Sequence, residues 1–104
     1  MTTRVKVGEF SDLKDGVGLK VDLGEHRIAV FRVEDAVFAI GDRCSHAEAS
    51  LAEGEVFDHE VECPRHGSTF DLRTGFPQGL PATKPVPTYI VLVENGDVYV
   101  ELPE

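Results

Sequence analysis

Two observations predict an all-β fold, and a third predicts that it is a single domain. Short segments alternate apolar and polar residues, as half-buried strands do. Turn residues separate these segments, most clearly Asn95-Gly96, which is a strong signal for a two-residue hairpin. The 104 residues, of which 41% are hydrophobic, suffice for one core, and we therefore expect a single domain over 1–104.

Eight strands are expected from this pattern, beginning with an antiparallel meander and ending with a hairpin. They are Arg4–Phe10, Val17–Leu23, His26–Val33, Ala36–Ile40, Val61–Cys63, Thr69–Leu72, Thr88–Val93 and Asp97–Leu102. The strand pattern stops between 42 and 60, where 47–53 can form one helical turn. Four prolines between 76 and 87 predict a stiff loop, because proline neither continues a helix nor donates to a sheet.

Charge and hydropathy restrict the partners and the compartment. The chain has 10 basic and 19 acidic residues, a net charge of -9, which repels nucleic acid and anionic lipid and suits a basic protein partner. The longest purely apolar run is Ile28–Phe31, far shorter than a bilayer span. The first residues contain no apolar stretch typical of a signal peptide. We therefore expect a cytoplasmic protein that binds neither nucleic acid nor membrane.

Both cysteines and two of the four histidines fall in two short stretches. The stretches are Cys44-x-His46 and Cys63-x-x-His66, with sixteen residues between them. A single such pair is commonly core packing. Two pairs in a chain with no other cysteine indicate a metal site, because thiolate and neutral imidazole are both good ligands for borderline and soft metals.

Three chemistries are compatible with four such ligands. A tetrahedral zinc site is one, although zinc motifs usually group two cysteines in one loop and two histidines in another. A Cys–His nucleophile is the second, and it leaves one pair without a role. The third is a [2Fe–2S] cluster in which two histidines replace two cysteines on one iron, with one Cys and one His from each loop.

At these residues the chain resembles the Rieske family. Residues 44–46 (CSH) and 63–67 (CPRHG) are similar to the two halves of the Rieske motif, and the resemblance continues through 68–71 and 74–75. It covers about 40 residues well. The resemblance implies a Rieske-like antiparallel β-sandwich with a small cluster-binding subdomain of two ligand loops, at about 42–82.

The resemblance also implies the ligand set and its cofactor. One Rieske-type [2Fe–2S] cluster is expected per chain, with Cys44 and Cys63 on one iron and His46 and His66 on the other. Ser68 matches a position that donates a hydrogen bond to a cluster sulfide. The histidine-bound iron lies nearer the surface in the family, so electrons are expected to leave through the exposed imidazole edges.

Departures from the family pattern are informative. Rieske proteins of membrane complexes carry an additional cysteine in each loop, and the two form a disulfide. Ala49 and Arg65 stand at those positions here, as in the soluble Rieske ferredoxins that serve oxygenases. High-potential members place a tyrosine hydroxyl near a ligand sulfur, and Phe70 stands at that position.

The expected function is therefore electron transfer. The resemblance implies a soluble ferredoxin, not itself an enzyme, that carries single electrons from a flavoprotein ferredoxin reductase to a terminal oxygenase of the aromatic-ring dioxygenase type. Both partners would dock transiently at the His46/His66 tip. The alternatives are a small Rieske-like subunit of a nitrite-reductase-type oxidoreductase, a ferredoxin for iron–sulfur assembly, and a zinc-stabilised binding module.

Overall fold

The computed structural model describes residues 2–44, 49–65, 67–78 and 84–103. The described residues form nine strands: β1 (Thr2–Glu9), β2 (Gly18–Leu23), β3 (His26–Val33), β4 (Ala36–Gly41), β5 (Val56–Phe57), β6 (Glu60–Glu62), β7 (Thr69–Asp71), β8 (Thr88–Glu94) and β9 (Asp97–Pro103). Two 3₁₀ turns span Phe10–Asp12 and Leu51–Glu53. No helix in these ranges has the length and apolar character needed to cross a bilayer.

The all-β prediction is confirmed, and all eight expected strands are present within two residues of their expected bounds. Strand β5 was not expected, because two residues are too few to show an alternating pattern. The helical turn expected over 47–53 is wrong in extent: only Leu51–Glu53 is helical, and residues 45–48 lie outside the described residues.

Two antiparallel sheets make up the structure. The larger has six strands in the order β1-β9-β8-β4-β3-β2, and the smaller has the order β5-β6-β7. Strand β8 changes partner along its length: Thr88 and Tyr89 pair with β4, whereas Ile90–Glu94 pairs with β9. Residues from both halves of the large sheet share one core, which makes this sheet a folded sandwich.

Strand β3 separates two cores. The sandwich core lies on one face and contains Ile28 and Val30; the site core lies on the other and contains Ala29 and Phe31. Because successive strand residues point to opposite faces, burial on both faces requires the continuous apolar run seen in the sequence. The remaining buried members of the sandwich core are Leu13, Ala39, Val98 and Val100. The remaining buried members of the site core are Ile40, Cys44, Leu51, Val61, Cys63, Phe70, Leu72 and Val86.

The described parts of the proline-rich stretch form the expected irregular connection. Pro77 makes an isolated bridge to Phe70, beside the end of the small sheet. Gly75 accepts a 2.9 Å hydrogen bond from the Val86 amide, and a Cβ on Gly75 would lie 2.1 Å from the Val86 carbonyl oxygen. Its φ of +78° also favours glycine. The two ends of the stretch therefore pack tightly together, while 79–83 lies outside the described residues.

Candidate metal centre

Each cysteine stands at the base of a short hairpin loop. In ligand loop 1 (residues 42–51), the Cys44 amide donates to the Ala49 carbonyl at 3.0 Å. In ligand loop 2 (residues 62–69), the Cys63 amide donates to the Ser68 carbonyl at 2.7 Å. Both bonds join a cysteine to the residue five positions later. The two loops thus have the same closure, with four residues of sequence between the bonded positions in each.

Ligand loop 1 is held at its base by a buried carboxylate. Asp42 is 3% exposed, and its Oδ1 accepts hydrogen bonds from Ser50 Oγ at 2.8 Å and from the Ala52 amide at 2.9 Å. Its carbonyl accepts from the Leu51 amide at 2.6 Å, and its amide donates to the Arg27 carbonyl at 2.9 Å. A buried carboxylate requires such partners, so Asp42 ties both ends of the loop to β3.

Ligand loop 2 is shaped by a turn and a glycine. The chain turns at Pro64-Arg65, and the Gly67 amide donates to the Cys63 carbonyl at 3.0 Å. Gly67 has φ +77°, a left-handed conformation that glycine adopts without cost. Nothing lies within 4 Å of a Cβ added there, so glycine is required by the backbone conformation rather than by crowding.

The thiols lie at the buried ends of the loops. Cys44 is 2% exposed and Cys63 is fully buried; neither is in a disulfide, and both belong to the site core. Ser68, which closes ligand loop 2, is also buried. By contrast, the tip residues Arg65 and Gly67 are exposed. Each loop therefore begins at a buried sulfur, and the tip of ligand loop 2 leads to the surface.

Three of the five predicted site residues are described. Cys44, Cys63 and Ser68 lie in the two loops and are buried, and both cysteines belong to the site core, whereas His46 and His66 lie outside the described residues. Within the described ranges, no three His, Cys, Asp or Glu side chains come together as a metal site. The described part of the predicted centre is thus a pair of buried cysteines, which supply the sulfur ligands of the predicted set.

An ion pair fixes the turn that follows β7. The Arg73 guanidinium donates to both oxygens of Asp71, at 3.2 and 3.0 Å, and the Arg73 amide adds a third bond at 2.7 Å. These bonds from Arg73 hold the pKa of Asp71 below its usual value, although partial burial opposes the shift. The carboxylate therefore stabilises this turn at any pH above the ordinary titration range of aspartate.

Asp42 was not identified from the sequence as part of the site. The signal available was its position, directly after the buried strand β4 and two residues before Cys44. A polar residue at the end of a buried strand must find partners, but the sequence does not reveal that Ser50 and the Ala52 amide supply them. These partners become apparent only in the folded loop, which brings Ser50 and Ala52 next to Asp42.

We expect Asp42→Ala to destabilise the protein. The substitution removes two hydrogen bonds to a charged group and leaves the Ser50 hydroxyl and the Ala52 amide without this acceptor. The loss should be about 2–4 kcal/mol, or roughly 10 °C or more in the midpoint of thermal unfolding for a domain of this size. The measurement is the midpoint temperature of the cofactor-bound protein at a fixed scan rate.

Asp22→Ala is the matched control for this substitution. Asp22 lies exposed on β2, and its side chain has no described hydrogen-bond partner. Ser50→Ala, which removes only one of the two bonds to Asp42, should fall between the two. Equal midpoints for Asp42→Ala and Asp22→Ala would show that the buried carboxylate does not hold ligand loop 1.

Residues 3–90 match the family model described as the Rieske [2Fe-2S] domain. The chain is 44% identical over 102 residues to the 3-phenylpropionate/cinnamic acid dioxygenase ferredoxin subunit of Escherichia coli K12, covering 97% of this chain and 95% of that protein.

Solved structures of ferredoxins are similar to this chain in both sequence and fold. The ferredoxin of carbazole 1,9a-dioxygenase from Nocardioides aromaticivorans IC177 is 40% identical, with a TM-score of 0.92 over 98% of this chain and 99% of that one. A carbazole 1,9a-dioxygenase ferredoxin in complex with its reduced oxygenase is also 40% identical, with a TM-score of 0.89 over 93% and 91% of the two chains.

The comparisons confirm the resemblance noted in the sequence and the cofactor it implied, a Rieske-type [2Fe–2S] cluster. The two buried cysteines, neither of them in a disulfide, fit the cysteine-bound half of such a cluster. The zinc-stabilised binding module and the Cys–His nucleophile are accordingly set aside. By the family match, and by similarity that extends along nearly the whole chain, this protein belongs to the Rieske [2Fe–2S] domain family.

Proposed function

We propose that this protein is the ferredoxin of an aromatic-ring dioxygenase system, carrying single electrons from a flavoprotein reductase to a terminal oxygenase. The observation that carries the proposal is the end-to-end similarity to ferredoxin subunits of dioxygenases. Proteins of that kind are electron carriers rather than enzymes. The similar ferredoxin found bound to its oxygenase supports an oxygenase as one of the two partners.

Within this proposal, Cys44 and Cys63 bind one iron and His46 and His66 bind the other. The support is the common design of the two hairpins, each closed at a buried cysteine and each with a histidine, two or three residues further on in the sequence, between the two bonded residues. When bound, the cluster supplies reversible one-electron transfer. We assign its binding to a subdomain at about 42–82 within one domain over 1–104.

The protein contributes rigid support for the cluster. The thiols are set in a packed core, and Asp42 and Gly67 determine the conformations of the two loops that carry them. Side chains locked by packing and hydrogen bonds change little when a charge is added, so the protein needs little rearrangement between the two redox states.

Partners are proposed to dock at the His46/His66 tip. Pro64, Arg65 and Gly67, next to His66, are exposed, which leaves this end accessible to another protein. A small contact suits a carrier that must leave one partner to reach the next. The net charge of -9 favours encounter with a basic partner surface over distances comparable to the Debye length.

The cytoplasm is the proposed compartment. Both cysteines are proposed here as cluster ligands rather than as disulfide partners, which suits a reducing compartment. The proposed reductase and oxygenase would then be present in the same compartment as their carrier.

Ligation is tested by histidine substitution. We expect two irons and two acid-labile sulfides per chain after anaerobic purification, as in other Rieske centres. His46→Ala and His66→Ala should each abolish the Rieske-type EPR signal of the reduced protein. His59→Ala is the control, because His59 lies in the β5–β6 turn against Phe38 and outside both loops. One zinc and no sulfide per chain would contradict the proposal.

The reduction potential is expected near the low end of the Rieske range, roughly -150 mV. Hydrogen bonds to cluster sulfurs stabilise the more negative reduced state, and this chain has Phe70 in place of a tyrosine. Its negative net charge further opposes the addition of an electron. Phe70→Tyr should raise the midpoint potential and Ser68→Ala should lower it, as measured by a spectroelectrochemical titration.

Phe57→Tyr is the control for the potential. Phe57 is 53% exposed on β5, whereas Phe70 is fully buried in the site core, where water does not screen an added hydroxyl dipole. A strongly positive potential for the unsubstituted protein, or equal shifts for the two Phe→Tyr variants, would count against this account of how the potential is set.

Electron delivery is tested by reconstitution with a purified reductase, terminal oxygenase and reduced nicotinamide cofactor. Oxygenase turnover should require this protein, should fall to background with His66→Ala, and should slow as salt rises. A protein that instead purifies tightly bound to a large reductase subunit, and does not accelerate the oxygenase when added free, would be a permanent subunit rather than a carrier.

A further inference from the structure

A cationic crevice lies beside ligand loop 1, although the protein as a whole is acidic. We give this name to the surface formed by Lys20, Arg27 and Arg43, all of them exposed. Arg27 and Arg43 line two adjoining concavities of about 140 and 610 Å³. Lys20 and ligand loop 1 border the smaller one, and Pro87 and Tyr89 border the larger.

The fold brings these three cations together from separate elements. Lys20 on β2 pairs with Ala29 on β3, a site-core residue, so the Lys20 side chain lies on the face that carries ligand loop 1. Arg27 lies two residues before Ala29 and on the same face. Arg43 forms a bridge with Ser50 and directly precedes Cys44. The crevice therefore adjoins the base of ligand loop 1, next to the proposed cluster ligand Cys44.

Two of these charges are not neutralised by any neighbour that the structure describes. Lys20 and Arg27 make no ion pair with a described residue, even though Asp22 faces Arg27 in the β2–β3 register and Glu25 lines the larger concavity. Three cations elsewhere on the protein do have carboxylate partners. The ion pairs there are Arg4–Glu94, Lys6–Asp97 and Arg73–Asp71.

We propose that this crevice receives carboxylate side chains of an electron-transfer partner, as a second contact beside the His46/His66 tip. The inference rests on the function proposed above and adds the chemistry of the partner surface. The Arg27 guanidinium can bind a carboxylate through two parallel hydrogen bonds, Lys20 adds a second positive charge, and the concave shape shields such contacts from water. The partner surface should thus be acidic where it meets Lys20 and Arg27.

Such a contact would set the orientation of the complex. The partner would have a mostly basic surface with one acidic projection. The acidic surface of this protein attracts the basic part of the partner in any orientation, whereas the crevice attracts the projection only when the partner is correctly rotated. With any other rotation, the projection meets acidic surface and is repelled. Mixed charge patterns of this kind give specificity rather than affinity alone.

The test is a charge reversal with a matched control. Arg27→Glu and Lys14→Glu change the net charge by the same amount, but Lys14 lies exposed in the turn before β2 and outside the crevice. The KM for this protein is measured separately with the reductase and with the oxygenase. For at least one partner, Arg27→Glu should raise KM roughly three- to tenfold above Lys14→Glu at low salt, with a smaller difference at high salt.

Further variants exclude indirect effects. Arg27→Gln should fall between the unsubstituted protein and Arg27→Glu, and the EPR spectrum and midpoint potential should not change. Lys20→Glu, on edge strand β2 and away from the ligand loops in sequence, repeats the test at a second position and should raise the same KM.

Equal KM values for Arg27→Glu and Lys14→Glu with both partners would overturn the inference and leave the proposed function intact, provided that the unsubstituted protein supports turnover. If the unsubstituted protein transfers no electrons to an oxygenase, the proposed function fails, and the inference fails with it. The unsubstituted protein is therefore assayed in every series.

Discussion

Strand β3 must be buried on both of its faces, and the arrangement of the molecule follows from this requirement. Ile28 and Val30 need the sandwich on one side, while Ala29 and Phe31 need a cover on the other. The cover is the small sheet with the two ligand loops, which buries apolar surface worth about 25 cal/mol per Å². The part that carries the cysteines is thus attached to the sandwich through a shared strand rather than through a flexible linker.

Within that cover, similar geometry serves the two cysteines. Both hairpins are closed by a bond from a cysteine amide to a carbonyl five residues on, yet they are stabilised differently. Ligand loop 1 depends on the buried Asp42 carboxylate, and ligand loop 2 on the left-handed Gly67. One loop is therefore sensitive to loss of a hydrogen-bond acceptor, whereas the other is sensitive to any side chain that disfavours positive φ.

The sequence predicted the strands because strands leave local patterns, and the two Cys–His pairs from which a metal site is predicted are local patterns as well. The apolar run within His26–Val33 and the Asn95-Gly96 turn are visible within a few residues, as are the Cys–His spacings. Strand β5 is too short to alternate. The role of Asp42 and the gathering of cations from β2, β3 and ligand loop 1 depend on contacts between residues distant in sequence, which no local pattern encodes.

The burial of Cys44 and Cys63 within the site core has a consequence for the lifetime of the protein. The same side chains that would bind iron also fill the core, so the packing around Phe70 and Leu72 depends on what the sulfurs are bonded to. Chains that lack their metal should open locally more often than loaded ones, because metal-binding free energy contributes to folding. Proteases cut locally opened chains first, so degradation would remove unloaded carriers before they compete with loaded ones for a partner.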